Sequence, residues 1–372
     1  MTGRGLAFQG GLAALGLVIA YSTWQREPER ATGEVVVVDS TRGDLKSVHF
    51  EDDNSSVDIQ RGLEGGDSGV WLKVQDKTPV PVAAQPKTKP PQSTTASPAT
   101  APGPTSPVPS PPAAKTRPLR ELRGDDPADK LLTAFAPFRS SRAFGVLDAA
   151  KLKELGLDTA KKKLVIAARG ETREFVIGQP PQSSGESYLR DARDGRVYLM
   201  PRQLLTDLQG AAFRLVDRKL HTFKIADVDR LTVSSAGKTR ELVVKNRQDQ
   251  NGYKFAPASA PDKPEEMART WHDKIWRMFP SEVLGKGEVP ASGQPKVVTR
   301  IDYFDGSKKV GWLELAKVEV APGAEPPASP HGPPPPNNGV ELYGRTEHTA
   351  GWVRLHNDPS TLSDADKIAA GS

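Results

Sequence analysis

Hydrophobic and polar positions alternate along much of the chain, most regularly between Lys163 and Leu208. This stretch reads KLVIAARGETREFVIGQ and then SYLRDARDGRVYLMPRQLLTDL. A period of two is typical of strands with one buried face, and the final apolar positions indicate a short helix. The pattern predicts two strands, a short connection, a tight hairpin and a small helix.

A second, degenerate copy of this pattern begins at Lys296. It reads KVVTRIDYFDGSKKVGWLELAKV, followed by GVELYGRTEHTAGWVRLHNDPSTLSDADKIAA. In this alignment residues 188–190 correspond to residues 342–344, and residues 197–199 correspond to residues 352–354. Pro201 then lies near Pro359. The chain therefore contains an internal repeat of about four strands and a short helix, which we term module B.

Shorter strands precede each copy of module B. Apolar or alternating runs predict strands at residues 34–38, 44–50, 57–61 and 70–74, and again at residues 225–233, 241–245 and 253–255. A helix follows each set. The first opens at Asp125 and has Leu131, Leu132, Phe135 and Phe138 as its apolar face. Residues 149–155 predict a further short helix, and residues 265–279 predict the helix of the second set.

These elements predict an α+β fold with mostly antiparallel sheets, because successive strands are joined by short turns. Three strands and a helix make module A, so the order is A–B–A–B. The predicted boundaries are 34–160 for A1, 161–217 for B1, 218–290 for A2 and 295–372 for B2. Two proline-rich segments interrupt this order, at residues 78–118 and 321–338; the first holds 13 of the 34 prolines. We interpret both as loops inserted within modules, since closure entropy grows slowly with loop length.

The N-terminus predicts a membrane anchor. Residues 5–24 carry no charge, and about 20 such residues span a bilayer core. A cleaved signal peptide is the competing interpretation. Tyr21 and Trp24 favour an uncleaved anchor because aromatic residues prefer the membrane interface. The predicted anchor comprises residues 1–24, and the rest of the chain is expected on the periplasmic side of a bacterial inner membrane.

Composition excludes several classes of function. The chain has no cysteine, which rules out disulfides, thiol catalysis and cysteine-ligated zinc. Its net charge of +5 is spread along the sequence, whereas nucleic-acid binding needs clustered basic residues. We therefore expect no nucleic-acid partner, and the sequence indicates neither a cofactor nor a small-molecule substrate.

Candidate catalytic patterns have simpler structural interpretations. Residues 66–69 (GDSG) resemble a serine-protease nucleophile but lack the accompanying histidine and aspartate, so we interpret them as a hairpin turn. The acidic groups at residues 51–53, 125–126 and 265–266 fit a turn and two helix starts. We expect the histidines to lie on the surface, because no pair has the four-residue spacing of a helical metal site. His348 and His356 flank one hairpin and could approach each other, but no third ligand is evident. The six histidines are His49, His221, His272, His331, His348 and His356.

Five aromatic residues are candidates for partner contacts. Trp276 is five positions after Trp271 on one predicted helix, so it can lie off the packed face, although core packing is the favoured interpretation. The other four lie in the two B modules and would form an exposed aromatic face if they share one side of a sheet. They are Tyr188, Tyr198, Tyr343 and Trp352.

Several short motifs give the chain a resemblance to a known family. After the anchor, these are residues 71–74 (WLKV), 155–158 (LGLD), 175–178 (FVIG), 188–190 (YLR) and 197–198 (VY). With them, most of residues 34–318 resembles the bacterial domain of unknown function 4340. The resemblance implies a membrane-anchored protein encoded beside ABC-type transport systems, some of them likened to gliding-motility machinery. It implies no catalytic residue.

The expected function is therefore non-enzymatic. We expect an envelope accessory or scaffold protein that binds a membrane complex, for which the family resemblance indicates an ABC-type transporter. The first alternative is a module that binds cell-wall or surface polysaccharide through exposed aromatic residues. The second is a hydrolase, which a closed pocket holding two or more acids and a histidine would support.

Overall fold

The computed structural model describes residues 34–62, 69–77, 118–179, 186–249, 252–320, 339–356, 358 and 360–371. The predicted anchor, nearly all of the first proline-rich segment, the whole of the second, and His331 lie outside these residues. No helix within the described ranges is long and apolar enough to cross a membrane.

The first part of the chain forms a two-stranded sheet and a nine-stranded sheet. Strands β1 and β6 pair with each other, and the nine-stranded order is β5-β4-β3-β2-β8-β9-β10-β11-β7. In chain order the strands are β1 Val35–Val38, β2 Leu45–Glu51, β3 Ser55–Arg61, β4 Val70–Asp76, β5 Arg120–Arg123, β6 Phe138–Ser140, β7 Ala143–Val146, β8 Lys162–Ala168, β9 Glu171–Ile177, β10 Ser187–Asp191 and β11 Arg196–Met200.

The second part forms an eight-stranded sheet with the order β14-β13-β12-β16-β17-β18-β19-β15. Its strands are β12 Arg230–Ser235, β13 Lys238–Lys245, β14 Lys254–Pro257, β15 Glu282–Val283, β16 Lys296–Asp305, β17 Lys308–Glu319, β18 Val340–Thr346 and β19 Val353–Leu355. Every pairing between these strands is antiparallel, as are those of the first part, so the prediction of mostly antiparallel sheets with short helices is confirmed.

Within the described ranges, six short helices lie beside the sheets: α1 Asp126–Ala134, α2 Ala149–Glu154, α3 Arg202–Gln209, α4 Ala211–Arg214, α5 Glu266–Trp276 and α6 Ser360–Ala370. Asp125 caps α1 by accepting a hydrogen bond from the backbone N–H of Ala128 at 3.1 Å. Pro127 occupies the first turn, where its missing N–H costs nothing. The acidic and proline residues therefore mark this helix start as the sequence indicated.

Two local predictions were wrong. Phe138 does not extend the apolar face of α1, because Pro137 cannot continue a helix and Phe138 instead begins β6. Residues 225–233 are not one strand. A turn of 3₁₀ helix, Ile225–Asp227, comes first, and the Asp227 carboxylate accepts a hydrogen bond from the Lys224 N–H at 3.0 Å.

Each large sheet joins strands from an A module and a B module. In the first sheet β2 pairs with β8 along its length, with His49 opposite Val165. In the second sheet β12 pairs with β16, with Val233 opposite Ile301. The segments on either side of the boundary predicted between residues 160 and 161 thus contribute strands to the same sheet.

The two sheets also contact each other at one edge. The backbone N–H of Lys286, just after β15, donates to the Glu121 carbonyl on β5 at 2.9 Å. The Arg120 guanidinium donates to Glu288 at 2.9 Å and also to the Val283 carbonyl. One continuous hydrophobic core includes residues of both sheets, from Val37 to Ala369. Helices α1, α3 and α4, the end of α5 and the connecting segment near residue 218 lie around a cleft where the two parts meet.

Candidate functional site

A cleft of about 970 Å³ lies between the two parts of the molecule, and we term it the junction cleft. Helix α1 forms one wall, helices α3 and α4 form another, and the end of α5 with the residues after it closes the third side. The connecting segment from Leu215 to Phe223 forms the floor. The lining residues are Asp125, Asp126, Pro127, Lys130, Leu131, Ala134, Gln203, Leu204, Asp207, Phe213, Arg214, Leu215, Val216, Asp217, Arg218, Lys219, Leu220, His221, Phe223, Trp276, Met278 and Phe279.

Arg218 lies between two aromatic rings at the mouth of the cleft. Its guanidinium carbon is 4.8 Å from the centre of the Phe213 ring and 5.8 Å from the centre of the Phe279 ring. The phenylalanines remain 51% and 68% exposed, respectively. Partial burial lowers the pKa of Arg218 from its usual value, although the side chain stays cationic near neutral pH.

A cluster of aromatic rings forms the inner wall of the cleft. The His221 imidazole stacks on the Trp276 indole with 4.9 Å between ring centres, and Phe223 contacts the same indole edge-on. Only 4% of the His221 side chain is exposed. Its Nδ1 is 3.1 Å from a Glu347 carboxylate oxygen, so this ring is fixed by an acid from the β18–β19 connection.

Behind this wall lie two buried polar groups without protein partners. Neither ring nitrogen of His272 has a hydrogen-bond partner among the described residues, and the Tyr303 hydroxyl also has none there. Burial lowers the pKa of His272 to about 3, and the nearby His221 acts in the same direction. Burial raises the pKa of Tyr303. Both groups are therefore neutral at physiological pH, and they pack as part of the aromatic cluster.

The aspartates of the cleft are already engaged. Asp207 pairs with Arg214 at 3.0 Å, Asp126 pairs with Lys219 at 3.6 Å, and Asp125 caps α1. Asp217 lies 2.8 Å from Nε2 of His348. Burial alone would raise the pKa of Asp217, but hydrogen bonds from His348 and from the Lys219 N–H outweigh it, so the pKa is lowered. Burial raises the pKa of Asp125.

The histidines are more enclosed than the sequence suggested, so the expectation of surface histidines was wrong for three of them. His272 is buried, His221 lies against Trp276, and the side chain of His348 is only 9% exposed. Aromatic stacking and carboxylate pairing explain this enclosure. His49 is half-exposed and His356 is exposed. Among the described residues, no three acids and histidines are placed to hold a metal ion.

Of the five predicted contact residues, Trp276 alone lines the junction cleft. It is half-buried and packs against the core. Tyr198 and Tyr343 are only 5% and 3% exposed, and the Tyr343 hydroxyl donates to Glu341 at 2.9 Å. Tyr188 and Trp352 are half-buried, the latter beneath the Arg345 guanidinium at 4.6 Å. The four residues of the B modules therefore do not form an exposed aromatic face.

The GDSG motif and the acidic pair at residues 265–266 lie at a strand connection and at a helix start. Strands β3 and β4 pair antiparallel on either side of the GDSG motif, and the Gly62 N–H donates to the Gly69 carbonyl at 2.7 Å. These contacts are typical of a hairpin connection, although residues 66–68 lie outside the described ranges. Glu265 occupies the N-cap position of α5. Sequence reasoning did not identify the contact of Arg218 with Phe279 or the His221–Glu347 pair, because these partners are distant along the chain, and no local motif indicates that Phe213 lies beside Arg218.

The fold and the cleft define an α+β protein with two large antiparallel sheets and a binding-sized groove where they meet. Residues 126–277 match the model of the domain of unknown function DUF4340, so the resemblance to this family is confirmed over that range. All but three of the cleft-lining residues fall within it; the exceptions are Asp125, Met278 and Phe279. No curated protein and no solved structure match the chain.

Proposed function

We propose that this chain is a non-enzymatic accessory or scaffold protein of the bacterial cell envelope. In this proposal residues 5–24 anchor it in the inner membrane, the remainder lies in the periplasm, and the junction cleft binds a membrane complex. The family resemblance suggests an ABC-type transport system or a gliding-like system as that complex, which is an argument by association.

The observation that carries the proposal is the exposure of Phe213 and Phe279 beside a cleft of about 970 Å³. Large apolar side chains left in contact with water around a concave surface are typical of sites that bind a partner. Met278 and Trp276 continue the apolar surface inward. Ion pairs at Asp126–Lys219 and Asp207–Arg214 provide a polar rim, as protein–protein interfaces usually have.

The chemistry of the cleft favours binding over hydrolysis. The cleft does hold His221 and four aspartates, but it is open rather than closed. Each aspartate is already paired with a base or caps a helix, and His221 is stacked on Trp276. An acid–base pair for catalysis needs groups free to exchange a proton with a bound substrate. Polysaccharide binding is also less favoured, because Tyr198 and Tyr343 are buried.

We also propose that the chain is a tandem repeat. Strands β4, β3, β2, β8, β9, β10, β11 and β7 follow the same spatial order as β14, β13, β12, β16, β17, β18, β19 and β15. The registers place Tyr188 opposite Leu199 and Tyr343 opposite Arg354. If residue 199 is equivalent to residue 354, these registers make Tyr188 equivalent to Tyr343. The sequence alignment instead paired residue 188 with residue 342, which differs by one position. An experimental structure whose halves do not superpose strand for strand would contradict the repeat.

The test of function is a crosslinking pull-down of the full-length tagged chain from membranes in mild detergent. We expect transporter membrane subunits to be recovered with the unaltered chain and lost with Phe213→Ser/Phe279→Ser. Val146→Ser is the control, because Val146 is exposed but lies outside the cleft. Replacing residues 1–24 by a cleavable signal should also reduce recovery.

Two outcomes would contradict the proposal. One is recovery of the same subunits with the double cleft variant, which would remove the cleft from the interface. The other is recovery of cell-wall material alone, equally well with the soluble form, which would favour polysaccharide binding.

A further inference from the structure

Among the described residues Arg218 forms no salt bridge, although the nearby Asp125 carboxylate favours its cationic form. Within the described chain its guanidinium makes one hydrogen bond, from Nη1 to the Pro280 carbonyl at 3.2 Å. A guanidinium has five N–H donors, so most of its donors have no protein acceptor. Arg214 and Lys219, by contrast, each pair with an aspartate. A positive charge that no described salt bridge neutralises therefore remains at the mouth of the junction cleft.

The surroundings of Arg218 limit what could neutralise this charge. The rings of Phe213 and Phe279 are within cation–π distance of the guanidinium, and both rings are exposed. Aromatic rings contact the face of a guanidinium, whereas carboxylates bind its edge through two parallel hydrogen bonds. The site thus combines an anion-binding edge with adjoining apolar surface.

We propose that the junction cleft binds a peptide segment of the partner protein in which a carboxylate side chain is flanked by apolar side chains. The carboxylate accepts hydrogen bonds from Arg218, and the apolar side chains pack on Phe213 and Phe279. This inference rests on the proposed scaffold function and specifies the chemistry that the partner must offer.

A peptide fits the cleft better than a lipid does. The floor and rim carry the paired side chains of Asp126, Lys219, Asp207 and Arg214. A peptide backbone has donors and acceptors that can contact such groups, whereas an acyl chain has none. Acyl chains would remove these ion pairs from water without offering them hydrogen bonds, which costs free energy.

The test begins with selection of displayed random dodecapeptides on the immobilised full-length chain. We expect enrichment of peptides with Asp or Glu within three positions of Leu, Phe, Trp or Tyr. The tightest peptide is then synthesised, together with a version whose acid is replaced by its amide. Fluorescence anisotropy gives their affinities for the unaltered chain and for Arg218→Gln.

Each single change should weaken binding about tenfold, or about 1.4 kcal/mol, because each removes the charge-assisted hydrogen bonds between the acid and Arg218. Arg218→Gln and the amide peptide combined should weaken binding little more than either change alone, because both remove the same contact. Arg218→Lys keeps the charge but loses the paired geometry, so it should bind with intermediate affinity. Arg277→Gln is the matched control, because Arg277 is exposed and lies outside the cleft. Thermal melting shows that each variant is folded.

Three results would overturn the inference: enriched peptides without acids, equal affinity for Arg218→Gln, or independent effects of the two changes. Vesicles of phosphatidylglycerol form a parallel arm; Arg218-dependent binding to them, with no peptide enriched, would identify a lipid instead. If the pull-down recovers the membrane complex with Arg218→Gln as well as with the unaltered chain, the scaffold function stands and the acidic segment is rejected.

Discussion

At the scale of single residues, His272 is unusual because it is a buried polar side chain without a hydrogen bond to any described residue. Buried polar groups are normally hydrogen-bonded, yet neither of its ring nitrogens has a partner among the described residues. Phe255, Trp276 and Tyr303 surround the ring at centre-to-centre distances of 4.8, 5.4 and 5.7 Å. The fold therefore holds the imidazole as a neutral aromatic ring.

This environment makes stability depend on pH with a definite sign. The pKa of His272 in the folded protein is lowered to about 3, while an unfolded histidine has a pKa of about 6.5. The unfolded state therefore binds the extra proton as the pH falls below about 6.5. The contribution of neutral His272 to the free energy of unfolding is therefore complete above a pH of about 6.5. Below that pH it falls by about 1.4 kcal/mol per pH unit until the pKa of the folded state is reached.

Replacing His272 by Leu, which has a similar volume, should remove this dependence. Between pH 7 and pH 5 the unaltered chain should lose about 2 kcal/mol more unfolding free energy than His272→Leu. Urea unfolding at the two pH values measures the difference. The exposed His356→Leu should behave like the unaltered chain; an equal pH response in all three proteins would show that His272 is not the group responsible.

Apart from Trp276, the residues of the cleft could not be predicted as contact residues from the sequence, and the reason is physical. Arg218 and Phe279 become significant only because they meet, and the sequence around each is unremarkable. His348 and Asp217 are 131 positions apart, so no local pattern indicates their contact. By contrast, Asp125 could be assigned as a helix start because capping depends on neighbours within one turn.

At the scale of elements, hydrophobic patterns predicted the long strands but missed four short ones, β5, β6, β7 and β15. Strands β8 and β9 follow the alternation of residues 163–177 closely. Strand β5 has only four residues, three of them charged, and β7 includes Gly145. Neither strand is long enough to show an alternation of apolar and polar residues. These strands form because a sheet edge is already present for them to pair with.

The hairpin between β18 and β19 depends on a close backbone approach at Gly351. A Cβ atom at this position would lie 2.8 Å from the Leu284 carbonyl oxygen and would also meet the backbone of Gly285. Backbone atoms cannot move aside cheaply, so Gly351→Ala should destabilise the protein by about 1–3 kcal/mol.

Thermal and urea unfolding of Gly351→Ala test this packing. Gly43→Ala is the matched control, because a Cβ there meets nothing closer than the Thr41 hydroxyl at 4.0 Å. Equal losses for the two variants would mean that the general cost of replacing glycine, rather than the contact with residues 284–285, is responsible.

At the scale of the whole molecule, the two sheets share one core. Sequence patterns predicted which segments form sheets, but they did not show whether the two parts pack together. The continuous hydrophobic cluster and the contacts of β5 with residues 283–288 join them. We therefore expect a single cooperative unfolding transition.

Hydrogen exchange in Ile275→Ala measures this cooperativity. Ile275 is buried in the part of the core beside the second sheet, and truncation should cost about 2–4 kcal/mol. If the molecule unfolds as one unit, the slowest amides of β8 and β9 should accelerate by the same factor as those of β16 and β17. Acceleration confined to the second sheet would instead indicate two independent folding units.

The pairing of β2 with β8 and of β12 with β16 has a consequence for how the molecule can be divided. Residues 126–277, the range that matches the family, include β8 and β12 but neither β2 nor β16. A protein cut at these limits would therefore expose the backbone of two central strands as open edges, which are prone to aggregation. The range that matches the family model thus contains neither large sheet in full, and any fragment intended for separate study should be cut where a sheet ends.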